Sequence, residues 1–364
     1  MIGSRRGSGF VAGAIALALV VPSAAACASG AGPTRLQQGL DSIVAAGATG
    51  AIAEVDTGGH RARASSGVAE TGSAAPVPVD GRFRIGSVTK AFTAVVVLQL
   101  VAEHRLGLDD PVESVLPGVL RYADRITIRQ LLDHTSGVPE YLETLPSPRS
   151  AAFLDLRWRT WTDAELVARV ADKPLLFGPG TKASYSNTNY LLLGMGIERI
   201  TGKPFAAAMR DRIVGPLHLT DTTIPGTDPN IRGPHAHGYL SIAPNGLVDI
   251  TELNPSVMGS AGEIISTTAD LNRFFGALLD GRLLPAPLLQ DMRTTVLGSK
   301  YGPGLITFEL SCGITAYGKD GDAPGYSTWS FGTPQKRITV SLTWGAGRPH
   351  DAARTLLDRE LCST

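Results

Sequence analysis

From Ser87 to Leu106 the chain reads as a helix whose apolar residues, Ala91, Phe92, Ala94, Val95, Val96, Val97, Leu98, Leu100 and Val101, run almost all the way round. A helix without a polar face must lie inside the fold, covered by other elements on every side. His104 and Arg105 suit its last turn and Gly107 its end. Yet it opens on Ser87-Val-Thr-Lys90. At helical spacing residues three apart share a face, so the Lys90 amine lies within reach of the Ser87 hydroxyl. Burial and neighbouring cations disfavour a charged lysine, which leaves an amine able to take the serine proton. The helix N-terminus adds a backbone N–H and a positive field for an oxyanion. Acyl transfer through Ser87 is one reading, and a serine that merely caps a buried helix is the other. Ser-x-x-Lys occurs once in the chain, and the rival elbow Gly-x-Ser-x-Gly is absent.

Two further segments bear on that choice. Ala183-Ser-Tyr185-Ser186-Asn187-Thr-Asn-Tyr190 precedes the helical pattern Leu191, Leu192, Leu193, Met195, Ile197, Ile200, which Gly202 ends. Near the C-terminus Tyr317-Gly-Lys319-Asp320-Gly321-Asp322-Ala-Pro-Gly325-Tyr326 is flanked by strand-like runs. Taken in order, the three segments resemble the Ser-x-x-Lys, Tyr-x-Asn and Lys/His-Thr-Gly elements of penicillin-recognising serine enzymes, specifically the class C β-lactamase and D-alanyl-D-alanine carboxypeptidase branch. The chain is similar above all to the small secreted carboxypeptidases of that branch. Phe83-Arg-Ile-Gly-Ser87, the run Ile126 to Gly137 with its His134-Thr-Ser-Gly, and the run Ser260 to Leu271 look like family segments, and the resemblance covers about residue 38 to the end.

The resemblance implies Ser87 as nucleophile, Lys90 and Tyr185 as the pair that shuttles its proton, and Asn187 as an amide that holds the substrate acyl group. A tyrosine near Lys90 and Lys319 could stand as phenolate or share a proton with Lys90, acting as base in attack and acid toward the leaving group. On residue type alone Tyr185 would be a core residue, Asn187 a helix N-cap, and Ser186 a proton relay or a turn residue. Lys319, Asp320, Gly321 and Asp322 fall at substrate-binding positions, with the backbone N–H groups of Ser87 and Asp322 at the oxyanion hole.

The third segment departs from the family pattern. Asp320 stands where the family has Thr or Ser to help bind a substrate carboxylate, and Asp322 adds a second acid. The preceding stretch Leu305-Ile306-Thr307-Phe308 offers no basic residue in compensation. Like charges about 4 Å apart repel by about 1 kcal/mol in water and about 4 kcal/mol at an effective dielectric of 20. A substrate ending in a free carboxylate is therefore disfavoured unless Lys319 neutralises Asp320. Two acids would suit a substrate amine and tolerate an ester or amide. Asp-Gly-Asp-Ala-Pro-Gly is also ordinary turn chemistry, with both carboxylates in solvent.

With 43% hydrophobic and 18% charged residues, the 364-residue chain can bury a large core, and its 33 basic against 33 acidic residues offer no field for nucleic acid. Residues 1–28 read as an export signal: Arg5 and Arg6, an apolar run Phe10 to Val21, then small residues before Cys27 and Ala28. Cleavage would give a secreted protein without an integral span, and Cys27 weakly resembles a lipid-acceptor site, so a lipid anchor stays open. Cys312 and Cys362 remain, and outside the cell they are expected to pair. No histidine spacing suggests a metal, His235-x-His237 reading as a strand end, and no cofactor is expected. Trp158 and Trp161 fall where the family has a helical lobe above the cleft, either lining a pocket or in the core.

The expected fold class is α/β (α+β), β-lactamase/transpeptidase-like. An antiparallel sheet lies between helices in a lobe of residues 35–108 and 235–364, with a mostly helical lobe, 109–234, inserted. The expected activity is that of an exported, monomeric serine acyl hydrolase of the D-alanyl-D-alanine carboxypeptidase type, acting on a small peptide, amide or ester, with peptidoglycan stem peptides or β-lactams as candidate ligands. The alternatives are a D-stereospecific aminopeptidase or amidase, an esterase, an acyltransferase, or a penicillin-binding sensor without turnover.

Overall fold

The computed structural model describes residues 34–242 and 246–363, with Gly3, Ser4, Gly7 and Gly9. The apolar run Phe10 to Val21 and Cys27, on which the export and lipidation readings rest, lie outside the described residues.

The two chain ends build one sheet. A hairpin, β1 (Gly50–Thr57) and β2 (His60–Gly67), is joined to four C-terminal strands, β3 (Ile306–Glu309), β4 (Thr315–Ala323), β5 (Tyr326–Gly332) and β6 (Arg337–Thr343). The order is β2-β1-β6-β5-β4-β3, all neighbours antiparallel, with Gly50 opposite Thr343 and Asp56 opposite Arg337. Helix α1 (Arg35–Ala45), the buried α2 (Thr89–Ala102), α4 (Thr268–Leu279) and the terminal α5 (His350–Cys362) pack on it, and α3 (Asn187–Thr201) packs on α2. Alternation along β5 places the layers: Trp329 meets His350 of α5, whereas Ser330 bonds Thr339, which bonds Asn272 of α4. Successive strand residues face opposite ways, so α4 and α5 cover opposite faces. Between Asp109 and Pro234 the regular elements of the described residues are helices and helical turns.

The apolar helix is buried as its pattern requires, with Ala91, Phe92, Ala94, Val95 and Leu98 all at 0% exposure. Both its ends differ from expectation. It stops at Ala102, and the left-handed residue after it is His104 (φ 55), not Gly107, with Arg105 N–H donating back to the Leu100 carbonyl at 3.0 Å. At the other end Ser87 precedes the helix, in a 3-10 turn Gly86–Val88.

Two glycines permit the contact that makes the site. A Cβ on Gly86 (φ +52) would lie 2.3 Å from the Asp322 carbonyl, and one on Gly321 would lie 2.2 Å from the Ile85 carbonyl and 2.7 Å from Ser87 N. Backbone therefore meets backbone where β4 passes the nucleophile turn. The run 320–325 is accordingly not the loop its composition suggests. The strand continues to Ala323 and the turn is confined to Pro324-Gly325 (φ +85 at the glycine).

Cys312, in the β3–β4 turn, is disulfide-bonded to Cys362 at the end of α5, across a sequence separation of 50. Closing such a loop stabilises by about 4 kcal/mol in the chain-entropy account. The double substitution Cys312→Ser, Cys362→Ser is expected to lose about that much, seen as a lower urea midpoint with a slope equal to or steeper than that of the wild type. An unchanged midpoint would show that the bridge contributes nothing to stability.

Candidate active site

The 3-10 turn presents Ser87 with its Oγ 2.6 Å from the Tyr185 hydroxyl and 3.0 Å from Lys90 Nζ. Lys90, 0% exposed, also donates to Asn187 Oδ1 at 2.6 Å and to the Ala261 carbonyl at 2.8 Å. Three oxygens around Nζ would suit either an ammonium, with three N–H groups, or a neutral amine, and burial decides between them. A neutral amine has two N–H groups and one lone pair. With the two N–H groups on Asn187 and Ala261, the lone pair is left for the Ser87 hydroxyl. Burial, and then the Lys319 charge, push the Lys90 amine well below its ordinary range, with Glu140 and Asp320 opposing. Burial thus favours the neutral amine, and the geometry holds it against the nucleophile.

Tyr185 differs from the phenolate expectation. Burial pushes its phenol well above the usual range. The two lysines lie over its ring, Lys90 at 5.0 Å and Lys319 at 5.7 Å from the centroid, while the hydroxyl bonds Ser87. Burial outweighs the neighbouring cations, so Tyr185 keeps its proton and is a donor to Ser87 in the resting site. His134, itself left-handed (φ 62), packs on this ring at 4.5 Å. Burial holds its imidazole well below the ordinary range, and Nδ1 accepts from Ser186 N–H at 3.2 Å. Ser186 points its hydroxyl at the Pro139 carbonyl, 3.4 Å away, and so relays no proton to Ser87.

Asn187 is the first residue of α3, with Ser186 in the N-cap position and no side-chain cap from it. Glu140 supplies the cap instead: its Oε2 accepts from Asn187 N at 2.5 Å and Asn187 Nδ2 at 3.1 Å. No local pattern betrays this glutamate, because it comes from a segment 47 residues away.

The third segment lines a cavity of about 510 Å³ that opens over Ser87, Tyr185 and Asn187. Lys319, 3% exposed, donates to Asp320 Oδ1 at 2.8 Å, and Lys300 reaches Asp320 Oδ2 at 3.3 Å. The two lysines hold this carboxyl well below the usual carboxylate range. Lys300, outside every recognised motif, supplies the cation missing from Leu305-Ile306-Thr307-Phe308. Asp322 accepts from Ser327 Oγ at 2.5 Å and stands 3.6 Å from His350 Nε2.

The apolar wall includes Leu145, Phe153, Met258, Trp329 and Trp344. Trp158 and Trp161 do not line it. Trp161 is buried under the Arg159 guanidinium at 3.7 Å, and Trp158 is 47% exposed beside Arg157. Elsewhere, His237 Nδ1 is on Asp249 at 2.6 Å and His235 Nδ1 on the Gly233 carbonyl at 2.7 Å.

The family described as Beta-lactamase matches residues 36–362. The chain belongs to the beta-lactamase family. This is a family of serine hydrolases, and the described fold is its α/β arrangement of an antiparallel sheet flanked by helices. The chain is 31% identical to penicillin-binding protein 4 of Amycolatopsis lactamdurans over 82% of its own length and 81% of that protein. Among solved structures it is similar to a D-stereospecific amidohydrolase from Streptomyces sp., with 39% identity, a TM-score of 0.83, and 91% of this chain and 98% of that one covered. It is also similar to the D-amino acid amidase of Ochrobactrum anthropi SV3, with 29% identity, a TM-score of 0.79, and coverage of 90% and 96%.

Proposed function

We propose that this beta-lactamase family member is an amidohydrolase that transfers the acyl group of a D-amino acid amide, or of a comparable short ester, through an ester on Ser87. One observation carries the reading: both lysines that reach the cavity already hold the Asp320 carboxylate. A substrate carboxylate entering there must compete with Asp320 for lysines that are already engaged, whereas an amide or ester does not depend on them. The structural similarity to D-stereospecific amidases supports the choice. The carboxypeptidase reading stands second. The relative named as a penicillin-binding protein favours it, as does the presence of two lysines near one aspartate.

In this reading Ser87 gives its proton to Lys90 while Oγ attacks the carbonyl carbon. The oxyanion is taken by the N–H groups of Ser87 and Asp322. The carbon–nitrogen bond then breaks, and the proton held on Lys90 passes by way of the Tyr185 hydroxyl to the leaving nitrogen. Water attacks the Ser87 ester, its proton returning by the same pair to Oγ. Export through residues 1–28, with or without lipid at Cys27, is part of the proposal, and a disulfide suits an oxidising compartment.

The test is ammonia release from D-phenylalanine amide and L-phenylalanine amide beside D-alanine release from an N-acylated D-alanyl-D-alanine, with Ser87→Ala as control. Ser87-dependent ammonia from the D-amide is expected. D-alanine from the acid with no ammonia from the amide would move the protein to the carboxypeptidase reading.

A further inference from the structure

Lys90 has three neighbours within hydrogen-bonding distance, Ser87 Oγ, Asn187 Oδ1 and the Ala261 carbonyl. The carbonyl can only accept. Asn187 could present either end of its amide, and the two ends have opposite consequences. With Oδ1 toward Lys90, the neutral amine spends its N–H groups on Asn187 and Ala261 and keeps its lone pair for the Ser87 O–H. With Nδ2 toward Lys90, the lone pair would accept from Asn187 and Ser87 would lose its base.

Glu140 makes the choice. Its Oε2 can only accept, and it takes both the Asn187 backbone N–H (2.5 Å) and the side-chain Nδ2–H (3.1 Å), while Oε1 takes the Leu142 N–H at 2.9 Å. The carboxylate is thus fixed at both oxygens, stands at the N-terminus of the 15-residue α3 where a negative charge is favoured, and leaves the amide one orientation. We propose that Glu140 is a positioning residue for the acyl-transfer step, which locks the Asn187 amide and so aims the Lys90 lone pair at Ser87. This inference rests on the reading of Lys90 as base, but not on which acyl compound is the substrate.

The groups that bear on Lys90 are Lys319 and Asp320 on β4, Tyr185 just before α3, Tyr190 in its first turn, His134, and Glu140. Of these, the Glu140 charge favours the protonated amine. Removing it leaves an amine that deprotonates at lower pH, so the acid limb of acylation moves to lower pH.

The experiment reads pre-steady-state acylation of the full chain by p-nitrophenyl acetate, an activated ester that makes little demand on the cavity. Glu140→Ala is expected to slow acylation at saturating ester by about 100-fold. Glu140→Gln, which keeps an acceptor for Asn187 but no charge, should recover most of the rate with its acid limb at lower pH. The deciding comparison is made in an Asn187→Ala background. There is then no amide to orient, so Glu140→Ala should cost less than about threefold more. A full, additive loss in that background would show a merely structural carboxylate and overturn the inference, as would an unmoved acid limb in Glu140→Gln. Thermal melts of each variant separate lost folding from lost aim. A wild type that the ester acylates but that leaves D-phenylalanine amide intact would sink the proposed function and keep this inference. A wild type that the ester does not acylate at Ser87 would overturn both.

Discussion

Lys90→Met is expected to slow acylation of Ser87 by about a thousandfold or more, the scale on which a positioned proton acceptor contributes. Methionine matches the unbranched lysine stem, so the fully buried site keeps its packing while the nucleophile loses its base. The substitution carries a second signature. Burial pushes the Lys90 amine well below its ordinary value of 10.5, so across much of the range up to that value the unfolded chain binds a proton that the folded one does not. Stability must then rise with pH through that interval, by linkage. Glu263, pushed up to about 8 by burial, contributes the opposite slope, since its folded form holds the proton that the unfolded form releases above about 4.5. Glu263 is common to both proteins and cancels in the comparison. Urea unfolding from pH 6 to pH 10 should therefore show wild type gaining on Lys90→Met as pH rises. Parallel profiles would mean that Lys90 is charged in the fold, and a charged Lys90 cannot take the serine proton.

What could be read from the sequence follows the range of the interactions involved. The buried middle of helix α2, the antiparallel sheet and the cysteine pair are set by local pattern, covalent chemistry or burial of whole faces, and these stand as expected, the two ends of α2 apart. The trio Ser87, Lys90 and Tyr185 was accessible because two of its members are one helical turn apart and the third lies in a motif. Composition misled at 320–323, where turn-forming residues lie in a strand because β5 pairs with them and the nucleophile turn packs on their backbone. Long-range electrostatics were out of reach altogether. Glu140 caps a helix 47 residues on, and Lys300 pairs with a carboxylate 20 residues on. The Tyr185 proton depends on how deeply the phenol is buried, which spacing in a sequence does not encode.

Replacing Asp320 with threonine is expected to turn the cavity toward carboxylates. In the wild type Lys319 and Lys300 each spend their charge on Asp320, at 2.8 and 3.3 Å. Threonine removes the like charge that a substrate carboxylate would meet, worth about 1 kcal/mol near water and about 4 kcal/mol at an effective dielectric of 20 for charges about 4 Å apart. It also releases both ammonium groups. The ratio of kcat/KM for an N-acylated D-alanyl-D-alanine over its C-terminal amide should therefore rise by about tenfold to several hundredfold. The change should come from the acid, because the amide carries no charge for Asp320 to repel. Lys300 gives a control in the other direction. It is half exposed and lies off the nucleophile, so Lys300→Ala should fold normally, and by stripping one counter-ion from Asp320 it should lower the ratio further. Lys319, at 3% exposure, loses a charged partner in Asp320→Thr but keeps the residue-320 carbonyl, now at 3.0 Å. Some loss of stability is thus compatible with the switch. An unchanged ratio in Asp320→Thr, with amide turnover intact, would mean that the paired carboxylate does not govern which acyl compounds enter. The discrimination would then have to come from the apolar wall of Leu145, Phe153 and Met258 rather than from charge.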